Sequence, residues 1–350
     1  MPGLDARVVV ERGGFVLDVS LSIPPDRTMA VLGPNGAGKT TLVKALAGLL
    51  ALDRGSVRLG DRLLDDPAAG VFVEPSDRRI GVVFQDGMLF PHLSALENIA
   101  FGLRAAGLPR SEARRKAAGW LAAVGLSDLA ERRPGVLSGG QAQRVAFARA
   151  LATEPEMLLL DEPFSALDIT SRAGLRRMLR EHLSGYSGPR LLITHDPTEA
   201  FLLADELVIL ERGSVVQAGD ADEIRLRPAS RYAADLAGVN LLAGTASGRV
   251  LTVQGHRLVI AEEMEGRVIA TIHPRAISIH LHRPGGSPRN SWETMIRHVD
   301  HHADRVRIQT GRPLPLTAEV TPEALSALSL FPGSTVWLSI KATEIHVGTG

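Results

Sequence analysis

The feature that most constrains this chain is a glycine-rich segment, GPNGAGKT, at residues 33–40. It follows a short apolar run at 29–32, and apolar residues recur after it at helical spacing. A segment of this pattern between a strand and a helix is a P-loop, whose backbone N–H groups surround phosphate oxygens at a positive helix N-terminus. Lys39 is then expected to reach the β- and γ-phosphates of a nucleotide, and Thr40 to supply a hydroxyl to Mg²⁺. The sequence therefore predicts a nucleoside-triphosphate site on a strand–loop–helix unit.

Alternation of strand and helix patterns continues through the first two thirds of the chain. Three further apolar runs are typical of strands that are buried on both faces, at residues 80–84, 157–160 and 191–194. Helical patterns lie between them, and Ser94 and Glu97 have the spacing of a capping box that opens a helix. This order predicts an α/β P-loop fold, with a parallel sheet covered by helices and a helical region between 94 and 153.

The pattern changes near residue 239. Short segments of alternating polarity follow, set among frequent glycine, proline and asparagine, at residues 267–272, 305–309 and 335–340. Such a pattern predicts a small all-β barrel. Because 350 residues exceed the size of one ordinary domain, we expect two domains, at 1–235 and 242–350, joined by a linker within 233–241.

Composition excludes several classes of protein. The 39 basic and 39 acidic side chains give a formal charge of zero, which argues against a nucleic-acid binder. The absence of cysteine excludes disulfides and thiol catalysis. No stretch approaches the roughly 18 consecutive apolar residues of a membrane span. Asp5 and Glu11 interrupt the N-terminal region, so we expect no secretory signal there.

A second chemical element is the apolar run at 157–160, which ends in two carboxylates. Asp161 can hold Mg²⁺ through water, and Glu162 can polarise an attacking water molecule. An apolar strand that ends in Asp-Glu is also common in proteins where it has no such role. The pair therefore supports a nucleotide site only because a P-loop precedes it.

A third element, LSGGQ at residues 137–141, precedes an amphipathic helix. Ser138 and Gln141 have capping spacing, so a well-capped helix without a further role would account for them. However, Gly139 and Gly140 expose backbone N–H groups at a helix N-terminus, which makes a second phosphate-binding surface. With this motif, residues 4–235 resemble the ATP-binding-cassette (ABC) ATPases, whose signature is LSGGQ. The resemblance implies that Leu137, Ser138, Gly139, Gly140 and Gln141 contact ATP bound to a second copy.

The same resemblance implies roles for other residues. ATP would be bound by Phe15, Gly33, Pro34, Asn35, Gly36, Ala37, Gly38, Lys39, Thr40 and Thr41. Phe15 would stack on adenine, although a core phenylalanine fits its position nearly as well. Catalysis would involve Glu162, His195 as the switch histidine, and Gln85 of the Q-loop. Mg²⁺ would be held by Thr40, Gln85 and Asp161. The D-loop would be formed by Ser165, Ala166, Leu167 and Asp168.

The family also implies partners and a location. Two cassettes form a head-to-tail homodimer beneath two transmembrane permease subunits, at the cytoplasmic face of the cell membrane. A periplasmic or extracellular binding protein would act through those subunits, and the C-terminal segments 287–290, 316–321 and 336–343, which are similar to a molybdate-binding domain, imply that it is a molybdate-binding protein. The apolar segment 88–91, just after Gln85, lies where the permease would dock, although ordinary hydrophobic core would explain it equally well.

The C-terminal part resembles the TOBE barrel of importer ATPases. Three segments, at 287–290, 316–321 and 336–343, are similar to the Mop domain, which binds molybdate or tungstate. The resemblance implies an oxyanion site formed by Ser287, Arg289, Asn290, Lys341 and Thr343. Hydroxyl and cationic donors suit a tetrahedral dianion, but solvated loop residues would fit this pattern as well. Pro288 stands where the family has alanine, which removes one N–H donor.

The implied function is the ATPase subunit of a molybdate importer, with ATP and Mg²⁺ as cofactors and molybdate as a regulatory ligand. Importers of sulfate, ferric iron or polyamines are alternatives. An ABC ATPase of DNA repair would carry a long coiled coil before its signature, whereas 99 positions separate Lys39 from Ser138 here. A translation type would carry two cassettes, and a molybdate-responsive regulator would not need Glu162 or the signature.

Overall fold

The computed structural model describes residues 3–85, 87–165, 167, 169–183, 185–302 and 305–349, apart from the side chains of 169–171, 173, 302 and 349. Contacts within the chain divide it into two compact units, Met1–Ala221 and Asp222–Gly350. This division falls earlier in the chain than the boundary we expected near residue 235.

The first unit is built from strands and helices that alternate for most of its length. Its strands are β1 (Leu4–Arg12), β2 (Phe15–Ile23), β3 (Thr28–Leu32), β4 (Arg54–Leu59), β5 (Arg62–Asp66), β6 (Val71–Phe72), β7 (Ile80–Val83), β8 (Met157–Asp161), β9 (Arg190–Ile193), β10 (Glu206–Glu211) and β11 (Ser214–Gly219). Its helices are α1 (Lys39–Leu46), α2 (Ala95–Ala105), α3 (Arg110–Ala123), α4 (Gly139–Ala152), α5 (Ile169–Leu183) and α6 (Pro197–Leu203).

Within the described residues these strands form one sheet in the order β6-β5-β4-β1-β2-β11-β10-β3-β9-β8-β7. The five strands from β10 to β7 are parallel, and β3, β8 and β9 are buried along their whole length. An antiparallel wing of β1, β2, β4, β5 and β6 extends the sheet on the other side. The predicted parallel α/β sheet is therefore confirmed, and each predicted strand run falls on an observed strand.

Helices α2, α3 and α4 pack around an apolar core of their own, so the predicted helical region is observed. Ser94 caps α2, because its Oγ accepts a hydrogen bond from the Glu97 N–H at 3.3 Å. The Glu97 carboxylate contacts Arg104 and Arg114, so Ser94 supplies the observed half of the predicted capping box. At α4 the reciprocal pair is complete between Ser138 and Gln141.

The second unit is mainly β-structure around one apolar core. Its strands are β12 (Asn240–Val253), β13 (His256–Ile272), β14 (Ser278–His280), β15 (Asn290–His302), β16 (Arg305–Thr310), β17 (Thr317–Val320), β18 (Thr335–Ile340) and β19 (Ile345–Thr349). They form two sheets, β12-β13-β19 and β14-β18-β15-β16-β17. The predicted small all-β domain is confirmed.

Short helices accompany these strands: α7 (Ala221–Leu226), α8 (Arg231–Ala237) and α9 (Pro322–Ala327). Helix α8 occupies part of the segment that we expected to be a linker, and it ends at Gly238, which has a φ of 69°. Strand β12 then begins at Asn240, so little irregular chain is left there. Across the described ranges, no helix is both long and apolar enough to cross a membrane.

Candidate nucleotide-hydrolysis site

The parallel strands bring the predicted catalytic residues to one edge of the sheet. Since β3, β7, β8 and β9 run in the same direction, their C-terminal ends meet at that edge. The P-loop follows β3, Gln85 follows β7, Glu162 follows β8 and His195 follows β9. Residues far apart in the sequence therefore converge because of the strand order alone.

A cavity of about 730 Å³ lies at this edge. It is lined by Phe15, Asn35, Gly36, Ala37, Gly38, Lys39, Thr40, Thr41, Gln85, Glu162 and His195. Eight of these residues were predicted to bind ATP, and one of the eight, Thr40, was also predicted to bind Mg²⁺. The other three, Gln85, Glu162 and His195, are the predicted catalytic residues. Two of the ten predicted ATP-binding residues, Gly33 and Pro34, do not line the cavity. Their carbonyl oxygens accept hydrogen bonds from the Lys39 ammonium.

The course of the P-loop requires glycine at two positions. Gly38 has a φ of 109°, and a Cβ there would lie 2.8 Å from Leu17 Cδ1 and 3.1 Å from the Phe15 ring. At Gly33 a Cβ would lie 2.1 Å from the Leu210 carbonyl oxygen, closer than any atom can pack. The turn into α1 therefore depends on residues without a side chain. The Phe15 ring lies directly beside this turn, at the cavity wall.

Lys39 is the cation of this cavity, and it is only 8% exposed. Its Nζ donates to the Gly33 carbonyl oxygen at 2.7 Å and to the Pro34 carbonyl oxygen at 3.0 Å. Burial lowers the pKa of the ammonium, and the negative charges of Glu162 and Asp161 oppose that change. The result is a preoriented donor with two carboxylates nearby.

Asp161 and Glu162 have different environments although they are adjacent. Burial and, secondarily, the charge of Glu162 raise the pKa of the Asp161 carboxyl to about 6, while Lys39 and Lys44 lower it. Glu162 has a φ of 45°, a left-handed conformation that is uncommon for residues other than glycine. Its Oε2 lies 3.2 Å from Nδ1 of His195, whose ring is exposed at the cavity.

The donor set at this edge fits Mg²⁺. Thr40 offers a hydroxyl, Gln85 an amide oxygen and Asp161 a carboxylate, and oxygen ligands are those that this cation prefers. The raised pKa of Asp161 shows that its buried negative charge is incompletely compensated by protein groups. A divalent cation beside Asp161 would supply the missing compensation.

Comparison with known proteins agrees with this geometry. A model of the ABC transporter family matches residues 16–165, and a model of the TOBE domain matches residues 286–347. The molybdenum import ATP-binding protein ModC of Mycobacterium tuberculosis is 42% identical over 94% of this chain and 93% of its own length. The chain belongs to the ABC transporter family. Within that family it is similar to import ATP-binding proteins over nearly all of its length.

One further relative matches nearly the whole chain, and one solved structure matches about two thirds of it. The molybdate/tungstate import ATP-binding protein WtpC of Pyrococcus horikoshii is 34% identical over 94% of each chain. The ATP-binding cassette MJ0796, solved as a dimer in a post-hydrolysis state with ADP and phosphate, covers 62% of this chain and 98% of its own at 29% identity and a TM-score of 0.54. Other relatives are named for import of sulfate/thiosulfate, Fe(3+) ions or spermidine/putrescine.

The ABC signature lies apart from the P-loop cavity of its own chain. None of Leu137, Ser138, Gly139, Gly140 and Gln141 lines that cavity. Gly140 instead lines a separate cavity of about 350 Å³ beside α3, α4 and α5. Of the predicted D-loop residues, Ser165 donates its hydroxyl to the Glu162 carbonyl oxygen at 3.0 Å and Leu167 is buried, whereas Ala166 and Asp168 lie outside the described residues.

The predicted oxyanion residues are only partly free to bind a ligand. Asn290 pairs with Ile340 at the end of the ladder between β15 and β18, and Arg289 and Lys341, which flank this pair in the sequence, are both exposed. The Asn290 amide accepts from the Val259 N–H at 2.6 Å and donates to the Val259 and Ile340 carbonyl oxygens. This amide therefore joins strands, and the exposed candidates are Ser287, Arg289, Lys341 and Thr343.

Arg149 links α4 to the segment after Gln85, a contact that the sequence alone did not predict. The Arg149 guanidinium donates to the carbonyl oxygens of Gly87 at 2.9 Å and Met88 at 2.8 Å, and it lies over the Phe90 ring. The available signal was an arginine within an otherwise apolar stretch of α4. Met88 itself is 61% exposed, which fits a docking surface better than a core position.

Proposed function

We propose that this chain is the ATP-hydrolysing subunit of a molybdate importer, which couples ATP + H₂O + molybdate(out) → ADP + phosphate + molybdate(in). The observation that carries the ATPase part is the single cavity lined by the P-loop, Gln85, Glu162 and His195. The cargo part is supported by the similarity to ModC, which extends through both units of the chain. WtpC is likewise named for the import of molybdate/tungstate.

The residues of the cavity have different roles in ATP hydrolysis. Lys39 and the P-loop N–H groups bind the β- and γ-phosphates of ATP, and Phe15 contacts the adenine. Glu162 accepts a hydrogen bond from the attacking water and polarises it. His195, at 3.2 Å from Glu162, holds that carboxylate in place. Thr40, Gln85 and Asp161 would hold Mg²⁺, which neutralises phosphate charge when it is bound.

The working unit in this proposal is a head-to-tail homodimer. The signature of each chain lies outside its own nucleotide cavity, so it is available to complete the cavity of a second copy. The dimer would attach to two permease subunits at the cytoplasmic face of the cell membrane, and a molybdate-binding protein outside would deliver cargo to them. Met88 and the neighbouring apolar residues would form the docking surface, which Arg149 holds in shape.

The catalytic part is tested by Glu162→Gln. An amide cannot take up a proton as a carboxylate does, so turnover should fall by at least about a hundredfold. ATP affinity should be retained, and ATP should convert the chain into a stable dimer that size-exclusion chromatography detects. Glu154→Gln is the matched control, because Glu154 is exposed and does not line the cavity. Persistent hydrolysis by the Glu162 variant would remove that carboxylate from the mechanism.

Sulfate, ferric iron and polyamine import are the competing cargo assignments. Arg289 and Lys341, two exposed cations that flank the Asn290–Ile340 pair, favour a dianion over a metal cation or a polyamine. A strain that lacks this gene should grow poorly at limiting molybdate and normally at limiting sulfate or iron, and the full chain should restore growth where Glu162→Gln does not. A growth defect confined to sulfate or iron would change the cargo assignment.

The regulatory role of molybdate is tested on the full chain by calorimetry. If Arg289 and Lys341 bind the oxyanion, Lys341→Met removes one charge-assisted hydrogen bond and should weaken binding by roughly ten- to a hundredfold. Lys116→Met, on α3, is the control. Sulfate should compete poorly, because it is smaller than molybdate. If neither molybdate nor tungstate produces heat with the unaltered chain, the second unit has no such site.

A further inference from the structure

We infer that Thr194, Glu199 and Arg176 form a network of positioning residues, buried at Thr194 and Glu199 and partly exposed at Arg176, that holds His195 against Glu162. The inference rests on the proposed catalytic roles of His195 and Glu162, and it assigns functions to three residues that the nucleotide site does not include. None of the three lines the cavity, so they would act on ATP hydrolysis only through the position of His195 relative to Glu162.

The first part of the network is the residue before His195. Thr194 is 1% exposed, and its hydroxyl donates to Glu199 Oε2 at 2.5 Å. The same hydroxyl oxygen accepts from the Asp196 N–H at 3.1 Å, which closes a tight turn around His195. One side chain therefore fixes the backbone on both sides of the histidine.

The second part is the charged pair beneath this turn. Glu199 is 3% exposed on α6, and the Arg176 guanidinium lies 3.4 Å from its Oε1 and 3.3 Å from Asp196 Oδ2. Burial raises the pKa of Glu199, and the hydrogen bond from Thr194 and then Arg176 oppose the rise. A buried carboxylate with these partners keeps a fixed position, because any movement would leave its charge uncompensated.

The third part connects the network to Glu162. Arg176 is on α5, and its guanidinium lies over the ring of Phe164, two residues after Glu162, at 5.9 Å from the ring centroid. Arg176 therefore contacts both segments that meet at the Glu162–His195 pair. In this way the network sets the separation of the Glu162 and His195 side chains. The His195 ring itself remains exposed at the cavity.

The network is tested with Thr194→Val, which keeps the shape of threonine but removes the hydroxyl, and with Glu199→Gln. Each should lower kcat for ATP by about tenfold, the effect of one lost charge-assisted hydrogen bond, with KM unchanged. Thr194→Ser keeps the hydroxyl and should retain kcat. Thr198→Val is the control, because Thr198 is exposed in the same turn and uses only its backbone N–H to bond Asp196.

A double-mutant cycle with His195→Ala separates positioning from a general loss of structure. If the network acts through the histidine, Thr194→Val and Glu199→Gln should add nothing to the loss caused by His195→Ala. Additive losses would overturn the inference and leave the role of His195 intact. An unchanged kcat in His195→Ala would overturn the role of His195 and the inference with it.

A second measurement covers the case in which His195→Ala leaves no measurable turnover. The His195 ring signal in the ¹H–¹³C NMR spectrum of the full chain is identified by its loss in that variant. It should shift in Thr194→Val and Glu199→Gln, and stay in place in Thr194→Ser and Thr198→Val. An unmoved signal in both network variants would overturn the inference.

Discussion

Lys39 supports the P-loop, and in the proposed mechanism the same side chain also binds phosphate. Its ammonium is buried and bonded to the carbonyl oxygens of Gly33 and Pro34, so it supports the loop on which it sits. The same donor faces the cavity where phosphate would bind. Because the three N–H bonds of an ammonium can point to several acceptors, phosphate oxygens can be bound without a large movement of the side chain.

The expected result for Lys39→Ala is loss of ATP binding, because the phosphates lose their ammonium partner. Direct binding of a fluorescent ATP analogue would measure it. Lys44→Ala is the matched control, since Lys44 is on the same helix with its side chain exposed. If Lys39→Ala binds ATP with an affinity near that of Lys44→Ala, the role given to Lys39 is wrong.

At the residue scale, the sequence predicted the role of a side chain where the residues that act together are neighbours in the chain. A P-loop needs glycine for its turn and lysine for its phosphate, and both are neighbours in the chain. The Asn290 amide could not be interpreted in this way, because its partners Val259 and Ile340 are 31 and 50 residues away. Nor does any spacing reveal that Glu199 contacts both Thr194 and Arg176, since that depends on how α5 and α6 pack.

At the scale of elements, Arg78 joins three pieces of the first unit. Its side chain is fully buried, and it donates to the carbonyl oxygens of Ala45 and Leu46 at the C-terminal end of α1. It also contacts Asp65 on β5 at 3.2 Å. Two residues later β7 begins, which leads to Gln85. A positive group at this end of α1 also suits the helix dipole.

We expect Arg78→Ala to lower the free energy of unfolding by about 3–5 kcal/mol, because it leaves the buried Asp65 without its partner. Arg79→Ala should lower it by less than about 1 kcal/mol, since the Arg79 side chain is largely exposed where it meets Glu156. Urea unfolding followed by circular dichroism gives both values. Equal effects of the two neighbouring arginines would show that the buried pair does not stabilise the unit.

Element types followed from the sequence more reliably than their ends did. Runs of apolar residues predicted β7, β8 and β9; β8 and β9 are buried along their whole length as expected, whereas alternate residues of β7, the last strand in the sheet order, are partly exposed. The segment around 233–237 was expected to be a linker, but it forms α8, with Ser230 as its N-cap. The Glu97 carboxylate contacts arginines of α2 and α3, which are tertiary partners that a capping pattern cannot anticipate.

At the scale of the whole molecule, each unit carries a different part of the proposed function. The ATP cavity lies within the first unit, and the exposed pair of Arg289 and Lys341 lies within the second. The similarity to ModC extends over both, which is why the cargo can be proposed at all. The sequence predicted that the two functions lie in different parts of the chain, because the nucleotide-binding motifs lie between residues 33 and 195 and the oxyanion-binding segments between residues 287 and 343.

The separation of the signature from the P-loop cavity has a genetic consequence. Lys39→Ala disables the P-loop and leaves the signature intact. Gly139→Asp leaves the P-loop intact, and its carboxylate repels the ATP phosphates from the signature. An aspartate is compatible with the start of α4, so this variant should fold. Each variant alone should be inactive. Mixed in equal amounts, they should regain up to about a quarter of the normal ATPase activity, because half of the dimers would pair an intact P-loop with an intact signature at one site. Two inactive alleles would then complement each other in one cell, whereas a chain that works alone would stay inactive in the mixture.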